Sequence, residues 1–374
     1  MYYLLLSLYI IYILVFFIKI KSNFYWKIIN FTIPIPIIFF DPIETYIIKG
    51  YYVDTVRIFN EINLFRENGW NGTDVYDNII LSKIYIFVYS YLDKDYNFLL
   101  PVINAFIIYF LVFFVLKKVA EYFDINDNVL KCSILYATLM ASYFNITTNI
   151  RYPLAVAILL ICIFYDLIRQ KYKIICFIMY FIILMLHPGT IIIFIVRLLV
   201  ALPKIISVFI FLMILFLGGN TIISLLSLLP LDIVVGMIAK LDAYSDVNAE
   251  LEVTSYSLVT NLSINIGIIL LSVLLYKYLK RDIYLRYKDF IKFMIFLSIG
   301  GCLAIFSEIS GFLFRFEELS RYLVCIYIFL FSKYENFDSS LKKYKILILT
   351  IKIILVYMLI YFVYNILTYT KVFL

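Results

Sequence analysis

Apolar runs of eighteen residues or more recur along this chain, and few folds tolerate them. Of its 374 residues 65% are hydrophobic and only 15% charged, more apolar surface than a soluble domain needs. Backbone placed in hydrocarbon has to satisfy its own N–H and C=O groups, and runs of this length do so as helices. The expected fold is therefore all-α, a polytopic integral membrane helical bundle of about twelve transmembrane helices, with residues 1–374 forming a single integral domain.

Spans are expected at 2–18, 27–43, 97–116, 129–147, 151–168, 173–187, 189–202, 204–219, 258–279, 288–307, 318–332 and 344–368. Pro34 and Pro36 weaken the second, and the seventh is short enough to be a half-helix or re-entrant segment. The first run begins at Tyr2 with no basic n-region or small-residue cleavage site, so it reads as a retained span. Lysine and arginine sort the connecting loops into two sets. Loops around Lys19–Lys27, Lys117–Lys131, Arg169–Lys173, Lys204, Lys277–Lys292 and Lys333–Lys345 hold most of the 32 basic residues, while the alternate loops hold most of the 25 acids. The positive-inside rule makes the first set cytoplasmic and puts both termini outside.

Two outside loops are long, about 44–96 and about 220–257. The first ends in "YDNIILSKIYIFVYSYL", whose apolar residues suit a helix lying along the membrane surface. The second carries Asp232, Asp242, Asp246, Glu250 and Glu252 and reads as a solvated lid. The net charge of +7 is carried by short loops and makes no case for nucleic acid. Cys132, Cys162, Cys176, Cys302 and Cys325 all fall in apolar runs without CxxC spacing, so they read as small buried hydrophobes. One histidine and no His/Cys cluster argue against a metal site.

Ionisable groups at membrane depth are costly and therefore mark sites. Those expected here fall on one side. Asp54 and Arg57 lie in the first outside loop, Arg151 opens the fifth span, and His187 closes the sixth in "IILMLHPGT". Glu308, Arg315, Glu317, Glu318 and Arg321 follow in "SEISGFLFRFEELSRYLV". A planar, permanently charged guanidinium grips phosphate oxygens in pairs, so Arg151, Arg315 and Arg321 suggest an outward-facing cluster for a lipid-linked phosphate. The plainer alternative, helical ion pairs Arg315–Glu318 and Glu317–Arg321, leaves Arg151 without a partner. Arg197 and Lys352 lie inside spans, and Arg197 either snorkels or pairs internally. No G-x-S-x-G elbow, H-E-x-x-H or Walker A loop occurs, which removes the soluble-type hydrolase and ATPase classes.

Four segments, "GYYVDTVRIF", "NIRYPLAVAILL", "LHPGTIIIF" and "FRFEELSRYLV", resemble in order and spacing the EpsG family of Wzy-like polymerases of bacterial exopolysaccharide, capsule and O-antigen. The resemblance covers roughly residues 50–330. It implies a glycosyltransferase of the bacterial cytoplasmic membrane that joins undecaprenyl-pyrophosphate-linked repeat units on the outer face, alongside a flippase and a chain-length regulator of the same pathway. Arg57, Arg151, Arg315, Glu317 and Arg321 would bind substrate, and Asp54 or His187 would act as base or orient the acceptor. No cofactor or metal is called for if arginines supply the positive charge. Other readings are an O-antigen ligase, a polyprenyl-phosphate-sugar glycosyltransferase, or a lipid-linked oligosaccharide flippase. A flippase is disfavoured because charge gathers at outer ends instead of lining many spans at mid-depth.

Overall fold

The computed structural model describes residues 2–39, 47, 54–72, 80–92, 96, 98–141, 143–216, 255–278, 281–303 and 311–334. Every regular element among them is helical. Along the chain these are α1 (Tyr2–Phe17), α2 (Ser22–Thr32), α3 (Ile35–Phe39), α4 (Asp54–Asn68), α5 (Ile80–Ser90) and α6 (Leu99–Phe123). Next come α7 (Asp127–Met140), α8 (Tyr143–Thr148) and α9 (Arg151–Ile163), the last continued by a π-helical turn, Phe164–Ile168. The remainder are α10 (Lys173–Leu186), α11 (Ile191–Ala201), α12 (Lys204–Phe216), α13 (Ser255–Tyr278), α14 (Arg281–Leu303) and α15 (Gly311–Tyr334).

Among the described residues two helices are long and apolar enough to cross a membrane, Leu99–Phe123 and Arg151–Ile168. Several expected spans turn out shorter, and each has a local cause. Residues 27–43 do not form one helix: α2 ends at Thr32 and α3 starts at Ile35, because Pro34 cannot donate to the ladder. Residues 129–147 break at Ala141, whose backbone is extended, into α7 and α8. Helix α11 has 11 residues, about 16 Å of rise against a hydrocarbon core of about 30 Å. The expected span 344–368 and residues 220–254 of the second long loop, with its five acids, lie outside the described residues.

Contacts divide the chain into two compact units. The first draws on Met1–Asn60, Leu92–Ala157 and Arg321–Leu374, the second on Glu61–Tyr91 and Ile158–Ser320. In the first, α1, α2, α3 and α8 pack about α6 and α7. Helix ends assigned above to one side meet there. Asp127 accepts from the backbone N–H of Ser22 at 3.0 Å, and Lys333 reaches Asp124 at 3.6 Å. Buried Lys131 donates to the Ile18 carbonyl at 3.0 Å and lies over the Phe16 and Tyr25 rings, so a cation and two aromatic faces close α1.

In the second unit α5 packs on α10, and α14 gathers α11, α12, α13 and the π-helical turn. Ends sort here too: Ser82 donates to the Leu186 carbonyl at 3.1 Å, while Lys292 caps the end of α11 through the Leu202 carbonyl at 2.8 Å. Phe65, Trp70, Phe87 and Tyr91 form a ring cluster joining the two helices of the first long loop. Apolar side chains also face outward in rows. Ile174, Ile175, Phe177, Ile178 and Phe181 on α10 are all exposed, as are Ile10, Leu14 and Phe17 on α1. Faces this apolar suit lipid better than water.

Candidate functional site

The first unit brings three of the sequence candidates together. Asp54 opens α4, where an acid complements the positive end of the helix dipole. The next residue, Thr55, is buried and donates its hydroxyl to the carbonyls of Thr147 and Thr148, the latter at 2.8 Å. These carbonyls end α8, where the helix itself supplies no amide donor. The bond pins the start of α4 beside the segment that leads into Arg151. Tyr152 N–H returns to the Asn149 carbonyl at 3.0 Å, and Pro153 sits in the first turn of α9, where no amide donor is needed.

Arg151, 1% exposed, thus meets Asp54 Oδ1 at 3.4 Å across 97 residues of sequence. Arg57, one turn along α4, meets the same oxygen. Arg151 therefore has the partner that sequence spacing alone did not supply. Two guanidiniums thus meet on one carboxylate oxygen, and the guanidinium fork is the donor geometry that phosphoryl oxygens accept. Arg321, also buried in this unit, donates to the Met140 carbonyl at 3.3 Å. That contact holds the buried end of α7 at the Ala141 break.

His187 belongs to the second unit and sits at the C-terminal cap of α10, 4% exposed. Its Nδ1 accepts from the Gly189 N–H at 3.1 Å, and its carbonyl accepts the Thr190 hydroxyl at 2.8 Å. With Nδ1 accepting, the neutral imidazole carries its proton on Nε2. Arg315 and Glu317 lie on α15, but their side chains are outside the described set, as is Glu308 altogether. Glu318 is buried on the same helix.

Asp166 was not singled out from sequence. It is buried in the π-helical turn and pairs with Arg197 through both carboxylate oxygens. Arg197 thus pairs internally. The available signal was the rule that a buried charge requires an opposite one, since Asp166 is the acid within the same expected set of spans. Among the described residues no three His, Cys, Asp or Glu side chains group as metal ligands. Comparisons with models of protein families, with characterised proteins and with solved structures gave no match to this chain.

Proposed function

We propose that this chain is a multi-pass glycosyltransferase of the bacterial cytoplasmic membrane, a Wzy-like polymerase that joins undecaprenyl-pyrophosphate-linked repeat units at the outer face. The observation that carries the reading is the Asp54–Arg151 contact. Two segments quoted for the EpsG resemblance, 97 residues apart, contribute their polar residues to one charged group. The outward apolar rows on α1 and α10, and the meeting of helix ends from the same expected side, support the multi-pass arrangement of about twelve spans.

In the reaction, the bond between the anomeric carbon of the growing glycan and its lipid pyrophosphate breaks. A hydroxyl oxygen of the incoming lipid-linked unit bonds to that carbon and gives up its proton. The pyrophosphate leaves with added negative charge, which Arg57 and Arg151 neutralise while Asp54 fixes their geometry. The resemblance implies substrate contacts by Arg315, Glu317 and Arg321 as well. For the acceptor the resemblance implies Asp54 or His187: the first a carboxylate able to take a proton, the second an imidazole able to orient the hydroxyl.

Deleting the gene in its own host and resolving lipid-linked glycans tests this. The expected result is accumulation of single-repeat units, with the multi-repeat ladder restored by the wild-type chain and not by Arg151→Lys. An unchanged ladder in the deletion strain overturns the polymerase reading, and full-length polymer left on the lipid carrier points to the ligase.

A further inference from the structure

Buried hydroxyls in the first unit mostly have an acceptor. Thr138 and Thr147 bond back to the carbonyls of Ile134 at 2.8 Å and Tyr143 at 3.1 Å, as hydroxyls inside helices commonly do. Tyr12 pairs with the Thr32 hydroxyl at 2.7 Å, Tyr25 reaches the Tyr12 carbonyl at 2.9 Å, and Tyr143 reaches the Ile33 carbonyl at 3.2 Å. Ser133 and Tyr136 on α7 depart from this pattern. They are 1% and 3% exposed, and neither the Ser133 Oγ nor the Tyr136 hydroxyl has a hydrogen-bond partner. An unpaired hydroxyl away from water is costly, and Ser133 forgoes the back-bond that its helix offers.

These residues lie one turn apart on one face of α7, and that face meets α15. Cys325 Sγ donates to the Ser133 carbonyl at 3.6 Å, and Arg321 Nη1 to the Met140 carbonyl at 3.3 Å. Tyr136 falls between these two contacts along α7 and within electrostatic reach of both Cys325 and Arg321. The seam therefore carries a guanidinium positioned by a backbone carbonyl and two hydroxyls without protein acceptors. Guanidinium and hydroxyl donors together match one ligand chemistry, the anionic oxygens of a phosphoryl group.

We propose that the α7–α15 seam binds a phosphate or pyrophosphate group, with Tyr136 and Ser133 as hydroxyl donors and Arg321 as the charge. The lipid carrier as source rests on the polymerase reading; the site itself rests on the seam. The phosphoryl oxygens belong either to a polyprenyl carrier or to free pyrophosphate.

Full-length protein in detergent, titrated separately with inorganic pyrophosphate and with farnesyl phosphate while thermal unfolding is followed, tests the site. Tyr136→Phe keeps the ring and removes only the oxygen, so it should unfold no earlier than wild type while affinity falls about tenfold or more. Ser133→Ala should act in the same direction. Stabilisation of wild type by both probes supports a site that accepts free pyrophosphate; stabilisation by farnesyl phosphate alone supports a lipid headgroup site. Wild-type protein that responds to neither probe overturns the proposal. So does Tyr136→Phe with wild-type affinity, whether it unfolds at the same temperature or earlier, the latter marking a water-bridged structural network. Binding is read here without any glycan, so its outcome and that of the cellular ladder stand apart.

Discussion

Arg197 and Asp166 hold one another through two contacts, Nε on Oδ2 and Nη2 on Oδ1, the second at 3.0 Å. The π-helical turn offers Asp166 to α11, and apolar helices surround both groups. Removing Arg197 strands the fully buried Asp166 carboxylate away from water, at a cost of about 3–5 kcal/mol, and removing Asp166 costs less because Arg197 is only part-buried. Asp166→Asn and Arg197→Gln should each lower the unfolding temperature of the purified protein in detergent. Replacing both at once, Asp166→Leu with Arg197→Met, should recover most of the loss. Losses that simply add in the double variant would show that the two groups do not act as a pair.

Arg151→Lys keeps the charge and discards the planar fork. It should reduce the multi-repeat ladder to single units at unchanged membrane abundance, and Asp54→Asn should do the same by releasing both guanidiniums from their shared oxygen. Wild-type polymer length in Arg151→Lys removes Arg151 from the site.

For His187 the two roles separate by substitution. His187→Ala should stop chain growth. His187→Gln keeps an N–H donor without a titratable ring, and the Nδ1 bond to Gly189 favours partial recovery of the ladder with it. Complete loss with Gln would favour proton transfer, and a normal ladder with both variants would leave His187 as a helix cap alone.

A Cβ on Gly301 would fall 2.4 Å from Asn265 Nδ2, in the contact between α13 and α14. Asn265 is itself fully buried, so it has little room to yield. Gly301→Ala should destabilise by about 1–3 kcal/mol through overpacking. Shortening the neighbour with Asn265→Ala in the same chain should restore the unfolding temperature; a double variant no better than Gly301→Ala would locate the strain elsewhere.

The helical class followed from run length, because no other local geometry satisfies apolar backbone of that extent. The break at Pro34 was legible for the same local reason. The break at Ala141 was not, since "LMASYF" carries neither proline nor glycine; there Arg321, distant in sequence, takes the Met140 carbonyl. Asp54 and Arg151 were each visible as ionisable groups on one expected side, but their contact depends on Thr55, an ordinary threonine until its acceptors are known. Asp166 escaped notice beside Arg169 and Lys171, where an acid resembles an ordinary interfacial residue.

The bond from Thr55 to the end of α8 also sets an order of events during synthesis. The ribosome passes Thr55 long before it reaches Thr147 and Thr148, 92 and 93 residues later. Until then Asp54 has only Arg57 as its cationic neighbour in this group. When the later segment emerges, a single hydroxyl both anchors α4 and delivers a counter-ion to Arg151 as its helix forms. The nascent chain therefore carries half of its charged centre in waiting, and a truncated product ending before Arg151 would hold Asp54 against Arg57 without the second guanidinium.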